Sequence, residues 1–208
     1  MTSIGDIMRT SPVIPVLVID KVEDAGPLAQ ALCAGGLKVL EVTLRTPAAL
    51  EAIAAMCAAA PDAIVGAGTV LNGADLDKAV AAGAKFIVSP GFTEPLGRAA
   101  EAAKVPLLPG VATAADIMRG LDAGLTHFKF FPAETSGGIP ALKAFAGPFG
   151  QIRFCPTGGI GEDNAADYLK LPQVLCVGGS WPAPKSAVSM KDWSRITDLA
   201  RGAAQLGR

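Results

Sequence analysis

One histidine, His127, stands among 208 residues. A metal centre built on clustered imidazoles is therefore excluded, and a Ser-His-Asp triad would have to use that residue. His127 reads as a packing or supporting side chain. The cysteines Cys33, Cys57, Cys155 and Cys176 are far apart and form no C-x-x-C pair, so free buried thiols are expected in place of a disulfide or metal ligand set. Neither a metal nor a cofactor is called for. A formal charge of −1 and the lack of any basic run argue against nucleic acid or an anionic membrane as the main partner. No apolar segment reaches spanning length without a break, and MTSIGDIMRTSP at the start lacks the basic head and apolar centre of a signal peptide. A cytoplasmic enzyme acting on a small molecule is the expectation.

What the chain does contain is short apolar runs, eight of them, recurring every 20 to 25 residues or so. They are VIPVLVI (13–19), VLEVT (39–43), AIVGAGT (63–69), FIVSPG (86–91), PLLPGV (106–111), HFKFFPA (127–133), RFCPTGG (153–159) and VLCVGGSW (174–181). Ala-rich amphipathic stretches separate them. Thr46 with Pro47, Asn72 with Asp75, and Thr113 with Asp116 carry the polar residues that open helices by accepting from first-turn amides. Gly35–Gly36, Gly83 and Gly124 supply the residues that close them, because glycine enters the left-handed conformation without a Cβ penalty. Strands apolar enough to be covered on both faces, alternating eight times with helices, specify a parallel sheet. The expected fold is a single-domain α/β (β/α)8 TIM barrel over residues 1–208, with a short helix before the first strand. An open doubly wound sheet is the alternative that the pattern leaves standing.

In such a barrel the active site lies at the C-terminal ends of the strands. One residue there is conspicuous: Lys129, in the aromatic run HFKFFPAE (127–134). Alternation puts His127, Lys129 and Phe131 on one face of that strand and Phe128 and Phe130 on the other. Burial disfavours an ammonium ion, so an amine here is available to attack a ketone and form an imine. A lysine that only carries its charge to the strand end would fit the same run. Glu41, Thr43 and Arg45 face one way at the end of the second run, where Glu41 and Arg45 could equally form a structural ion pair. Thr69 closes the third run, Ser89-Pro90-Gly91 the fourth, Thr157-Gly158-Gly159 the seventh and Gly178-Gly179-Ser180 the eighth. Glycine turns after the last two strands let backbone amides approach an anion, and a phosphate is the expected occupant.

GLKVLEVTLR (36–45) and GLTHFKFFPAETSG (124–137) resemble the two signature segments of the bacterial 2-keto-3-deoxy-6-phosphogluconate (KDPG) aldolases, a family that includes 4-hydroxy-2-oxoglutarate (KHG) aldolases. The resemblance continues through GAGTVL (66–71), FIVSPG (86–91), PLLPGV (106–111), CPTGGI (155–160) and VGGSW (177–181), nearly the whole chain. It implies a homotrimeric (β/α)8 lyase that splits a phosphorylated keto acid into pyruvate and D-glyceraldehyde 3-phosphate. By the same resemblance Lys129 is the Schiff-base lysine and Glu41 the acid/base, while Arg45, Thr69, Pro90, Phe131 and Thr157 line the substrate pocket. Gly158, Gly159, Gly179 and Ser180 would hold the phosphate. The chain departs from the family at WPAPKSAVSM (181–190), where apolar residues usually follow the tryptophan. A phosphate-sugar isomerase or epimerase without covalent chemistry, and a non-catalytic phosphate-binding barrel, are the competing functions.

Overall fold

The computed structural model describes residues 2–206. Nine strand segments occur: β1 (Val13–Leu17), β2 (Val39–Thr43), β3 (Ile64–Gly68), β4 (Ile87–Val88), β5 (Leu107–Leu108), β6 (Gly110–Val111), β7 (His127–Phe130), β8 (Arg153–Pro156) and β9 (Val177–Gly179). All pair in parallel, in the orders β5-β4-β3-β2-β1-β9 and β6-β7-β8. Two connections join these sheets into a ring. The fifth apolar run belongs to both, as β5 and β6 interrupted at Pro109, a residue with no N–H whose carbonyl still accepts from Lys129. On the other side, Thr157 bridges to Gly178 and Phe154 to Val174. The fold is the (β/α)8 barrel, so the open sheet is set aside.

The helices are α1 (Ile4–Thr10), α2 (Val22–Ala34), α3 (Ala49–Ala59), α4 (Gly73–Ala81), α5 (Glu94–Ala102), α6 (Ala114–Asp122), α7 (Gly138–Ala146), α8 (Ala165–Leu169), α9 (Lys185–Ser189) and α10 (Trp193–Ala204). Asn72 caps α4 by accepting from the Asp75 amide, and Thr113 with Asp116 closes a capping box on α6. Gly36, Gly83 and Gly124 take φ of 99°, 103° and 74° at the helix-to-strand returns. Thr46 corrects the expectation for α3. That helix begins at Ala49 without a side-chain cap, because the Thr46 hydroxyl donates instead to the Ile19 carbonyl across the barrel mouth.

The period of two along each strand divides the core. Outward residues such as Leu40, Val42, Val65, Ile87 and Phe128 pack under the helices. Phe130 lies among them, edge-on to Phe145 of α7 at 6.1 Å and to Phe154 of β8 at 6.2 Å. Inward residues form a second cluster in which Ile14, Val39, Phe86, Val88, Leu108, Cys155 and Cys176 meet Ile7 and Met8 of α1. Helix α1 starts at a Ser3–Asp6 capping box and stoppers the N-terminal end of the barrel with that apolar pair. Burying each of the two contributes about 1.5–3 kcal/mol. The interior below the site is thereby filled with side chains.

Candidate active site

Lys129 projects from the inner face of β7, with Gly110 of β6 and Cys155 of β8 as its register partners. Its Nζ lies 3.0 Å from Glu41 Oε1 and 3.4 Å from Oε2. Both side chains are buried, at 8% and 4% exposure, so the pair sits in low dielectric with little screening. The amine is also 5.4 Å from the centre of the Phe131 ring, on the side toward the strand end. Glu41 does not pair with Arg45, four residues along; Arg45 is exposed and forms no ion pair among the described residues.

Two small residues make this arrangement possible. Gly68 follows Gly66 on the inner face of β3, and a Cβ at Gly68 would overlap the Glu41 carboxylate. A Cβ at Gly66 would overlap the Phe86 ring. The carboxylate thus lies in space that β3 leaves empty. On the last strands Gly178 makes the same allowance for Thr157, and Gly179 for the Trp181 ring. Thr157 is buried and its hydroxyl lies 3.4 Å from the Cys155 carbonyl.

A cavity of about 640 Å3 opens at the C-terminal ends of the strands; Lys129 and Glu41 are not on its wall, but Phe131, two residues beyond Lys129, is. Arg45, Phe131 and Thr157 line it, as do Gly158, Gly159, Gly179 and Ser180 of the two glycine turns. Thr69 and Pro90 are not on that wall. Thr69 follows β3 with φ at 60°, a left-handed conformation that is rare and strained for a β-branched residue. Pro90 is exposed after β4, its carbonyl packed where a Cβ at Gly110 would have to be. His127 lies two residues before Lys129 at the opposite end of the barrel, where its ring fills the space over Gly5 of α1. Among the described residues no group of three or more His, Cys, Asp or Glu side chains is disposed to hold a metal ion, and the cysteines are free. Burial pushes the Cys33 and Cys57 thiols up, and a hydrogen bond with Cys155 together with complete burial does the same to Cys176.

Residues 4–199 match the family described as KDPG and KHG aldolase. The chain belongs to that family. Among curated relatives, the 2-dehydro-3-deoxy-phosphogluconate aldolase of Zymomonas mobilis is 58% identical, covering 100% of this chain and 98% of its own. The KHG/KDPG aldolase of Escherichia coli K12 is 55% identical over 98% of this chain and 96% of its own. Among solved structures of this aldolase family, the Zymomonas mobilis enzyme with 3-phosphoglycerate superposes with a TM-score of 0.95 at 57% identity, covering 100% of this chain and 98% of that one. The Legionella pneumophila KDPG aldolase, with pyruvate captured as a covalent carbinolamine intermediate, gives 0.94 at 51% identity over 97% of this chain and 98% of that one.

Other contributors to this aldolase site are not evident from residue type. Gly66 and Gly68 act through missing volume, and only the G-x-G spacing on a strand hints at it. Asp24, at the start of α2, is buried on the cavity wall, and its Oδ1 has no partner among the described residues. Lys185, in the segment after β9, also reaches that wall, and with Ala183, Pro184, Val188 and Ser189 it forms one side of the cavity.

Proposed function

We propose that this aldolase cleaves KDPG reversibly to pyruvate and D-glyceraldehyde 3-phosphate through a Schiff base on Lys129, with Glu41 moving the protons. The observation that carries the reading is the buried Lys129–Glu41 contact at 3.0 Å, two residues before Phe131 on the wall of a cavity that the two glycine turns also line. The amine adds to the C2 ketone and loses water to give a protonated imine, which is the electron sink. Glu41 accepts the C4 hydroxyl proton, directly or through a water; the C3–C4 bond breaks, its electron pair enters the imine system, and the aldehyde departs. The remaining enamine takes a proton at C3 from Glu41, and hydrolysis releases pyruvate and the free amine. One carboxylate serves both transfers because it gains a proton in the first and returns it in the second.

Arg45 suits the substrate carboxylate, since its planar fork binds two oxygens at once. Thr69, Pro90, Phe131 and Thr157 are proposed to shape the pocket, and Gly158, Gly159, Gly179 and Ser180 to hold the phosphate. Binding energy from that remote group orients the reacting carbons. The cycle requires no metal or cofactor. KHG, which shares the reacting end and lacks the phosphate, is proposed as a second substrate, in keeping with the names of the Escherichia coli relatives. Assembly as a homotrimer in the cytoplasm is proposed on the family resemblance alone. Pyruvate with borohydride should leave a reduced adduct on Lys129, located by peptide mass spectrometry. An adduct on another lysine, or none, would defeat the mechanism.

A further inference from the structure

The turn after β8 has a feature that its glycines do not explain. Its three successive carbonyls are all engaged. The Thr157 carbonyl accepts from the Ala133 amide at 2.8 Å, the Gly158 carbonyl from the Glu134 amide at 3.1 Å, and the Gly159 carbonyl from Asn164 Nδ2 at 3.0 Å. None of Ala133, Glu134 and Asn164 lines the cavity, whereas Gly158, Gly159 and Ile160 do. In a trans peptide the carbonyl of one residue and the N–H of the next point in opposite directions. The Gly158 amide, opposite the Thr157 carbonyl, faces the Gly178 carbonyl of the bridge to β9, while fixing the carbonyls of residues 158 and 159 on the side away from the cavity aims the amides of Gly159 and Ile160 toward it. Among the described residues neither of these two amides donates to a protein acceptor. Two successive free amides form an anion-binding nest.

Asn164 is the only side chain among the three donors, and it holds the turn at two points. Its Oδ1 accepts from the Gly161 amide at 2.9 Å while its Nδ2 donates to the Gly159 carbonyl. That side chain spans the exit of a turn in which Gly158 and Gly159 have φ of 99° and 78°. The Glu134 support is braced in its own way: its carboxylate accepts from the buried Tyr168 hydroxyl of α8, and Gly159 packs against its Cβ and Cγ. Burial, with Glu134 alongside, holds the Tyr168 hydroxyl protonated well above the usual phenol range, so it remains a donor. Helix α8 thus grips the turn from behind, at one side through Asn164 and at the other through Tyr168.

We infer that Asn164, supported by the Tyr168–Glu134 contact, is a positioning residue that orients the Gly159 and Ile160 amides of the β8 turn toward a substrate phosphate and so sets the preference for phosphorylated over unphosphorylated keto acids. The inference rests on the functional reading above. In Asn164→Ala both hydrogen bonds are lost; the KM for KDPG should rise about tenfold with kcat changed far less, the pattern of weakened ground-state binding. The effect on KHG should be at least about fivefold smaller, because that substrate presents no phosphate. Tyr168→Phe should act in the same direction and more weakly, and it decides the matter if Asn164→Ala does not fold. Equal effects on both substrates, or no effect from either variant, would overturn the inference. Calorimetric titration of wild type and variants with inorganic phosphate separates it from the functional reading. Weaker phosphate binding by Asn164→Ala supports the positioning role even if wild type fails to cleave KDPG; equal binding, or none by wild type, refutes it.

Discussion

His127 and Lys129 leave the same face of β7 two residues apart, and they meet opposite surroundings. His127 lies at the stoppered end, half-buried against Gly5, with its Nε2 left without a partner among the described residues. Lys129 lies toward the open end, paired with a buried carboxylate and two residues before Phe131 of the cavity wall. Side-chain chemistry alone would have made either residue a candidate for proton transfer. Position along the strand separates them, because the N-terminal end of the barrel is filled and the C-terminal end is open to a ligand. Pairing then adds a second distinction: the amine has a group to exchange protons with, and the imidazole has only the Thr126 hydroxyl, 3.1 Å from Nδ1.

The sharpest way to break that comparison is catalytic. Glu41→Gln should lower kcat about 10²- to 10⁴-fold, the range for loss of a positioned acid/base, while His127→Gln should leave the rate within about threefold of wild type. A large loss from the histidine change would show the two ends to be coupled. Stability offers the next test. Lys129→Met leaves Glu41 buried and unpaired and should destabilise the protein by about 3–5 kcal/mol in denaturant melts. Adding Glu41→Leu should recover most of that, since an apolar pair of similar volume removes the uncompensated charge. If the double variant were as unstable as the single one, the contact would matter for packing more than for charge.

The smallest effect concerns the stoppered end. Burial first, then the nearby Arg9 of α1 and Arg153 of β8, lower the pKa of His127, against a weaker opposing pull from Asp6 of α1. The unfolded chain binds a proton near the ordinary histidine value of about 6.5, and the folded chain only at lower pH. Its contribution is therefore intact above that value and is lost as pH falls through it. A Tm series from pH 7.5 to 5.5 should decline slightly more steeply for wild type than for His127→Gln. Parallel slopes would mean that the ring titrates normally.

Much of the barrel was legible in the chain because it depends on local rules. The run spacing, the Asn72 and Thr113 caps and the left-handed Gly36, Gly83 and Gly124 each follow from a few neighbouring residues. Thr46 misled because its hydroxyl had a choice between a local amide and the Ile19 carbonyl on another strand's exit, and only the folded mouth offers the second. Glu41 has the same lesson in it: Arg45 is near in sequence, but the barrel brings it Lys129, 88 residues away. Asn164 was invisible because its role depends on which way two carbonyls point, and residue type does not encode that.

Gly68 carries a wider consequence. The lumen of a closed strand ring has a fixed capacity, so every atom of Glu41 that enters it displaces an atom that another strand must forgo. A methyl group at position 68 would be chemically inert, touch no substrate and donate no proton, yet it would evict the carboxylate. Alanine at position 68 would therefore disturb the site through the acid it faces, for a reason that no inventory of reactive groups would register.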